Sequence, residues 1–118
     1  MSKGRHAAIE RLQHMLEAVD AIEGYAERGR KAFDDDATLR DAILYQIVVL
    51  GEAAKSAIKA DPSLEQELPD VEWSPISRMR DRVAHHYWAT DNEVVWTTVS
   101  ESVPELRKAL DAALKRLK

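Results

Sequence analysis

The densest concentration of ionisable and aromatic side chains in the chain is the segment Arg78-Met79-Arg80-Asp81-Arg82-Val83-Ala84-His85-His86-Tyr87-Trp88. Three arginines within five residues make a local positive patch on a chain whose formal net charge is -4. A guanidinium group suits phosphate oxygens, because its planar fork donates two parallel hydrogen bonds. Two histidines follow, and imidazole is the side chain whose ordinary pKa lets it take and give protons near neutral pH. Tyr87 and Trp88 add aromatic faces on which bases can stack. Phosphate and base contact is one reading of this segment. The other is a solvated helix face whose Tyr87 and Trp88 pack in the core.

Helical geometry sharpens the pattern only partly. At about 100° per residue Arg80 and Tyr87 share a face, whereas Arg80 and His85 lie roughly 140° apart, so spacing alone does not choose His85 over His86. Asp81 stands four residues before His85, where a carboxylate can orient the imidazole, fix its tautomer and favour its charged form. His86 has Arg82 at the same spacing, a like charge that disfavours protonation. A metal site built on His85 and His86 is not expected, because adjacent helical residues point about 100° apart and no matching carboxylate and histidine set accompanies them. His6 and His14 read as surface residues of a helix, and Trp73, Trp88 and Trp96 as core or interface residues.

The elements that must position this segment are helical. Ile9, Leu12, Leu16, Val19 and Ile22 recur at helical spacing and predict a first helix over about residues 5–28, with Gly29 just beyond it. The acidic run Asp34-Asp35-Asp36 supplies an N-cap and favourable first-turn charge for a second helix carrying Leu39, Ile43, Ile47, Leu50, Ala54 and Ile58, ended by Asp61-Pro62. Residues 63–73 read as a connection with a short helical turn. Ser74-Pro75 then restarts a helix as N-cap and first helical residue, running to His86 or slightly further. Asp91 caps the last helix, striped by Val95, Val99, Val103, Leu106, Leu110, Leu114 and Leu117, with a kink at Pro104. The expected fold is all-α: an up-and-down four-helix bundle with an additional short helical turn, in one domain over residues 1–118. Tyr45, Ile47, Val48, Val49 and Leu50 make the second helix apolar over more than one stripe. Either a second copy covers the extra face, giving a homodimer, or that helix is central to its own bundle.

Composition narrows the function. With no cysteine, disulfides, thiolate zinc sites and a cysteine nucleophile are excluded. A net charge of -4 and a pI near 5.6 argue against broad, sequence-blind nucleic-acid binding, so any RNA contact must be local. No apolar run approaches the roughly 18 residues of a membrane span, and Met1 to Arg11 lack the apolar stretch of a signal peptide. The expectation is a cytoplasmic protein with no membrane partner.

The order Arg80, four residues, His85, one residue, Tyr87 resembles the Arg-x4-His-x-Tyr motif of HepT-like HEPN ribonuclease toxins, within a longer block ending in Tyr87-Trp88. Gly51-Glu52-Ala53 is similar to the Gly-Glu-Ala segment of that family's second helix, and Leu68-Pro69 through Trp73 to its lead-in to the motif. The resemblance covers about residues 5–115. Asp81 stands where the family frequently has Asn, and Glu72 precedes Trp73 where the family usually has Pro.

The resemblance implies a HEPN bundle working as a homodimer, a metal-independent endoribonuclease without a cofactor, with two motifs meeting across a dimer cleft. Arg80 and His85 would be catalytic, with Tyr87 supporting; by residue type and spacing, Asp81 would support His85, and Arg78 and Arg82 would bind RNA. It further implies a toxin silenced by a minimal nucleotidyltransferase antitoxin that adenylylates Tyr87. HEPN-like bundles also serve as non-catalytic subunits that bind substrate for, or regulate, a nucleotidyltransferase, and the acidic charge is compatible with that alternative.

Overall fold

The structure, a computed structural model, describes residues 2–118. Its described elements are helical: α1 (Lys3–Ala26), α2 (Gly29–Asp35), α3 (Ala37–Ala60), α4 (Leu64–Glu67), α5 (Trp73–His86), a 3-10 turn (Tyr87–Ala89), α6 (Asn92–Thr97) and α7 (Val103–Leu117). Helix α1 buries Ala8, Leu12, Met15, Val19 and Ile22, one stripe at steps of three and four. That stripe packs on Leu39, Ile43, Ile47, Leu50, Ala54 and Ala57 of α3, the central contact of the bundle. Helix α5 lies on the far side of α3, and α7 returns against α1, burying Val103, Leu110, Ala113 and Leu114.

Ion pairs at the helix ends fix the directions. Arg5 near the start of α1 donates from Nε to Asp61, the C-cap of α3, at 2.7 Å and from Nη2 to Glu67 of α4 at 2.6 Å. Arg107 near the start of α7 pairs with Asp20 and Glu23 near the end of α1. Both α3 and α7 therefore run antiparallel to α1, the up-and-down order of the expected all-α HEPN bundle, with α4 as its short extra turn.

Three local expectations are corrected. The stretch after α1 is not only a helix end: Gly29, at φ +91°, reverses the chain into α2, whose Phe33 is buried against Trp96 at 5.2 Å between ring centroids. Asp36 alone caps α3, accepting from Thr38 N at 3.0 Å and Leu39 N at 3.2 Å, while Asp34 and Asp35 pair within α2 with Arg30 and Lys31. Helix α5 begins at Trp73, not at Ser74-Pro75, because the Trp73 backbone N–H bonds Val71 O at 2.9 Å and its indole N–H bonds Leu68 O at 3.3 Å. Ser74 instead accepts from Arg78 Nη1 at 2.6 Å.

Asp91 caps α6 as expected, accepting from Glu93 N at 2.8 Å. The kink expected at Pro104 takes the form of a π-helical segment over Thr98–Ser102, one turn before the proline. Pro104 has no N–H to offer the carbonyl of Ser100, and the hydroxyls of Thr98 and Ser100 bond back to Val94 O and Trp96 O, each at 2.8 Å. Among the described residues, no helix is long and apolar enough to cross a membrane.

Candidate active site

Arg80 sits midway along α5, on the side that faces α3, with its side chain about three-quarters buried. The approach of the two helices there is close enough that a β-carbon on Gly51 would overlap Cβ and Cγ of Arg80. Only glycine lets α5 lie so near α3 at this point, and the contact fixes the root of the Arg80 side chain. The next residue along α3, Glu52, forms an ion pair with the Arg80 guanidinium, which also donates from Nη1 to Asp81 at 3.0 Å. Hydrogen bonding to Asp81, and then the charge of Glu52, hold Arg80 above the ordinary arginine value against the cost of its burial. Its Nε is buried without a hydrogen-bond partner among the described residues.

Gly51-Glu52 is therefore the structural partner of Arg80, a role that no periodicity or local spacing reveals. What could have pointed to it is a glycine inside a long apolar helix, a residue that lowers helix stability and needs a packing reason.

His85 and His86 lie in the last turn of α5 and both are exposed. Asp81, expected to orient His85 through the i, i+4 spacing, gives its carboxylate to Arg80 instead, and among the described residues no hydrogen bond joins it to His85. The neighbouring guanidinium, immobilised by α3, is the stronger competitor for that carboxylate. Arg80 and His85 point in different directions, one toward α3 and the other to solvent, as their roughly 140° separation on a helix requires. Arg78 and Arg82 are exposed on the same helix.

At His86, with φ -140° and ψ 37°, the α-helix gives way to the 3-10 turn that carries Tyr87 and Trp88. Neither aromatic reaches the core: Tyr87 is 66% and Trp88 71% exposed. This overturns the core reading of Trp88, whereas Trp73 and Trp96 pack against the core, one of the two places expected for them. The ring neighbours of Trp88 among the described residues are His86 and Tyr87, both exposed themselves. Among the described residues, no cluster of three His, Asp or Glu side chains is placed to hold a metal ion.

A family model described as Ribonuclease HepT-like matches residues 15–113 of the chain. The chain belongs to the HepT-like ribonuclease family. It is 31% identical to a probable ribonuclease HepT of Thermococcus cleftensis, over 81% of this chain and 86% of that one. It is 28% identical to a protein of Caldanaerobacter subterraneus subsp. tengcongensis proposed to be an RNase, over 91% of this chain and 94% of the relative. A Methanocaldococcus jannaschii protein proposed to be an RNase shares 26% identity, over 88% and 84% of the two chains. No solved structure matches at a significant level. The matched stretch contains Gly51, Glu52, Arg80, Asp81, His85 and Tyr87, the residues of the candidate site.

Proposed function

We propose that the protein is a metal-independent endoribonuclease centred on Arg80 and His85, acting as a homodimer, and that it is the toxin of a toxin-antitoxin pair. The observation that carries this is Arg80: a three-quarters-buried guanidinium, pinned at Gly51 and held by Glu52 and Asp81, within a chain of the HepT-like ribonuclease family.

The chemistry follows from the residue types. The substrate's own 2′-oxygen attacks the adjacent phosphorus, the bond from phosphorus to the 5′-oxygen breaks, and a 2′,3′-cyclic phosphate remains. One imidazole takes the 2′-hydroxyl proton and a second, protonated imidazole gives a proton to the leaving 5′-oxygen. Arg80 neutralises the charge that builds on the phosphate oxygens. One chain offers a single His85 for two proton transfers, and its Arg80 and His85 diverge around α5. A second protomer supplies the missing imidazole and closes the site from the other side. The face available for that contact is the groove between α1 and α3, of about 610 Å³, where exposed Tyr45 and half-buried Val48 and Val49 lie beside Glu52.

Arg78 and Arg82, exposed along α5, give the RNA backbone its local positive track on an otherwise acidic, cytoplasmic protein. Silencing by a minimal nucleotidyltransferase antitoxin would use Tyr87. Its phenol oxygen attacks the α-phosphorus of ATP, pyrophosphate leaves and the phenol proton passes to solvent or to a base on the antitoxin. The 66% exposure of Tyr87 makes that oxygen reachable, and the added AMP places bulk and negative charge where RNA must enter.

The test is cleavage of an RNA oligonucleotide by purified protein in EDTA and in magnesium, with the product ends analysed. Equal rates and cyclic phosphate ends are expected. Activity abolished by EDTA, or products ending in a 3′-hydroxyl, would overturn the metal-independent mechanism.

A further inference from the structure

Of the three tryptophans, Trp73 is tied to Leu68 O and Trp96 is packed on Phe33, whereas Trp88 is 71% exposed at the end of α5. We infer that Trp88 is a stacking platform for an unpaired base of single-stranded RNA, holding one nucleotide beside the phosphate that Arg80 and His85 act on. This assignment rests on the ribonuclease reading above.

The aromatic has two ring neighbours. The Trp88 ring meets Tyr87 at 5.3 Å between centroids and 84° between planes, and His86 at 5.7 Å and 70°. Such edge-to-face contacts fix an aromatic pair without covering both faces of either ring. The turn carrying them is closed by the Thr90 hydroxyl, which donates to Tyr87 O at 2.5 Å. The result is a ring edge-on to its two neighbours and largely in solvent, three residues after His85. Exposing indole area to water is unfavourable unless something covers it in the working complex.

The neighbouring charges say what that cover is. Arg78, Arg82 and His85 are exposed on the helix that leads into the turn, so a basic stretch runs directly into the two aromatics. A basic track that follows the phosphates, next to an aromatic ring that takes a base face, is the combination that binds single-stranded nucleic acid. In a duplex both faces of an internal base are already covered by its neighbours, so only an unpaired base can use the ring. With a net charge of -4, the chain also lacks the broad basic surface that would track a duplex by shape alone.

The experiment measures affinity for a fluorescein-labelled 2′-O-methyl decaribonucleotide of mixed sequence, which cannot be cut through its blocked 2′-oxygens, and for the same strand annealed to its complement. Wild type, Trp88→Phe and Trp88→Ala are compared, with the mass of each in solution from light scattering and RNA cleavage measured alongside. Expected are single-strand binding by wild type, near-wild-type affinity for Trp88→Phe, a loss on the order of 10- to 100-fold for Trp88→Ala at unchanged mass, and much weaker duplex binding throughout. In cleavage, Trp88→Ala should raise KM more than it lowers kcat. Unchanged affinity in Trp88→Ala, or equal affinity for the duplex, overturns the platform while wild-type cleavage leaves the ribonuclease reading intact. Affinity that falls together with the mass makes Trp88 an interface residue and overturns it too. A wild type that neither binds nor cuts RNA defeats both readings.

Discussion

Arg80 owes its position to its neighbours more than to its own helix. Asp81 grips one nitrogen, Glu52 reaches across from α3, and the side-chain root lies against a residue with no β-carbon. Gly51→Ala must therefore push α5 away from α3 or move Arg80, although alanine is the better helix former. The expected outcome is a loss of roughly 1–3 kcal/mol of stability from overpacking and a fall in cleavage rate on the order of 100-fold, because an ångström of misplacement matters more to catalysis than to folding. Melting and single-turnover rates on the purified variant check this; wild-type cleavage at a lowered melting point would detach the glycine from the site.

The arginine, histidine and tyrosine spacing was legible in the sequence, since Arg80 and His85 share helix α5 and Tyr87 follows directly in the turn that ends it. Gly51-Glu52-Ala53 was legible as a motif but the role of Glu52 was not, because its contact with Arg80 joins residues of different helices. Asp81 shows why local spacing misleads: the i, i+4 geometry offers it His85, but a guanidinium immobilised by another helix wins the carboxylate.

At the scale of the elements, long periodic helices announce themselves and short ones do not. Helices α1 and α3 repeat their buried positions over six turns, so their existence and faces follow from pattern alone. Helix α2 has seven residues and one buried side chain, Phe33, too little period to detect. The start of α5 is set by Trp73 reaching back to Leu68, a contact that outweighs the good capping chemistry of Ser74-Pro75.

The elements are joined by charged clamps, of which Arg5 with Asp61 and Glu67 ties α1 to α3 and α4. Hydrogen bonds from Ser63 and then Arg5 hold the Asp61 carboxyl below its ordinary range, and Arg5 does the same for Glu67. In the unfolded chain both carboxyls take up protons at their ordinary values, so the unfolded state binds more protons once the pH drops below about 4. The clamp's stabilisation is thus present above that range and is lost as the pH falls through the lower folded values. Arg5→Ala should lower the melting temperature by roughly 3–6 °C at pH 7 and flatten its decline between about pH 4 and 2. Parallel melting curves for wild type and Arg5→Ala across that window would show that the clamp is not responsible.

For the whole molecule, the apolar surplus of α3 noticed in the sequence resolves into two faces. Ile47 and Leu50 turn inward and are buried, whereas Tyr45 stands 66% exposed beside Val48 and Val49 in the groove against α1. A second copy on that groove would cover apolar area next to Glu52 and bring two sets of catalytic side chains together. Val49→Arg places a charge in the middle of this surface. It is expected to shift the mass in solution from dimer to monomer and to lower cleavage at least 10-fold, with little change in helical content. A monomeric Val49→Arg that cuts as fast as wild type would show that one chain suffices. A wild type that is already monomeric would remove the composite site.

The most direct measurement is the single-turnover cleavage rate of one RNA oligonucleotide by wild type, Arg80→Ala and His85→Ala, each purified in the same way and verified as folded. Each substitution is expected to lower the rate on the order of 100-fold or more, with the wild type cutting in EDTA. Cleavage by both variants at the wild-type rate, or by none of the three proteins, would contradict an RNA-cleaving centre built on Arg80 and His85.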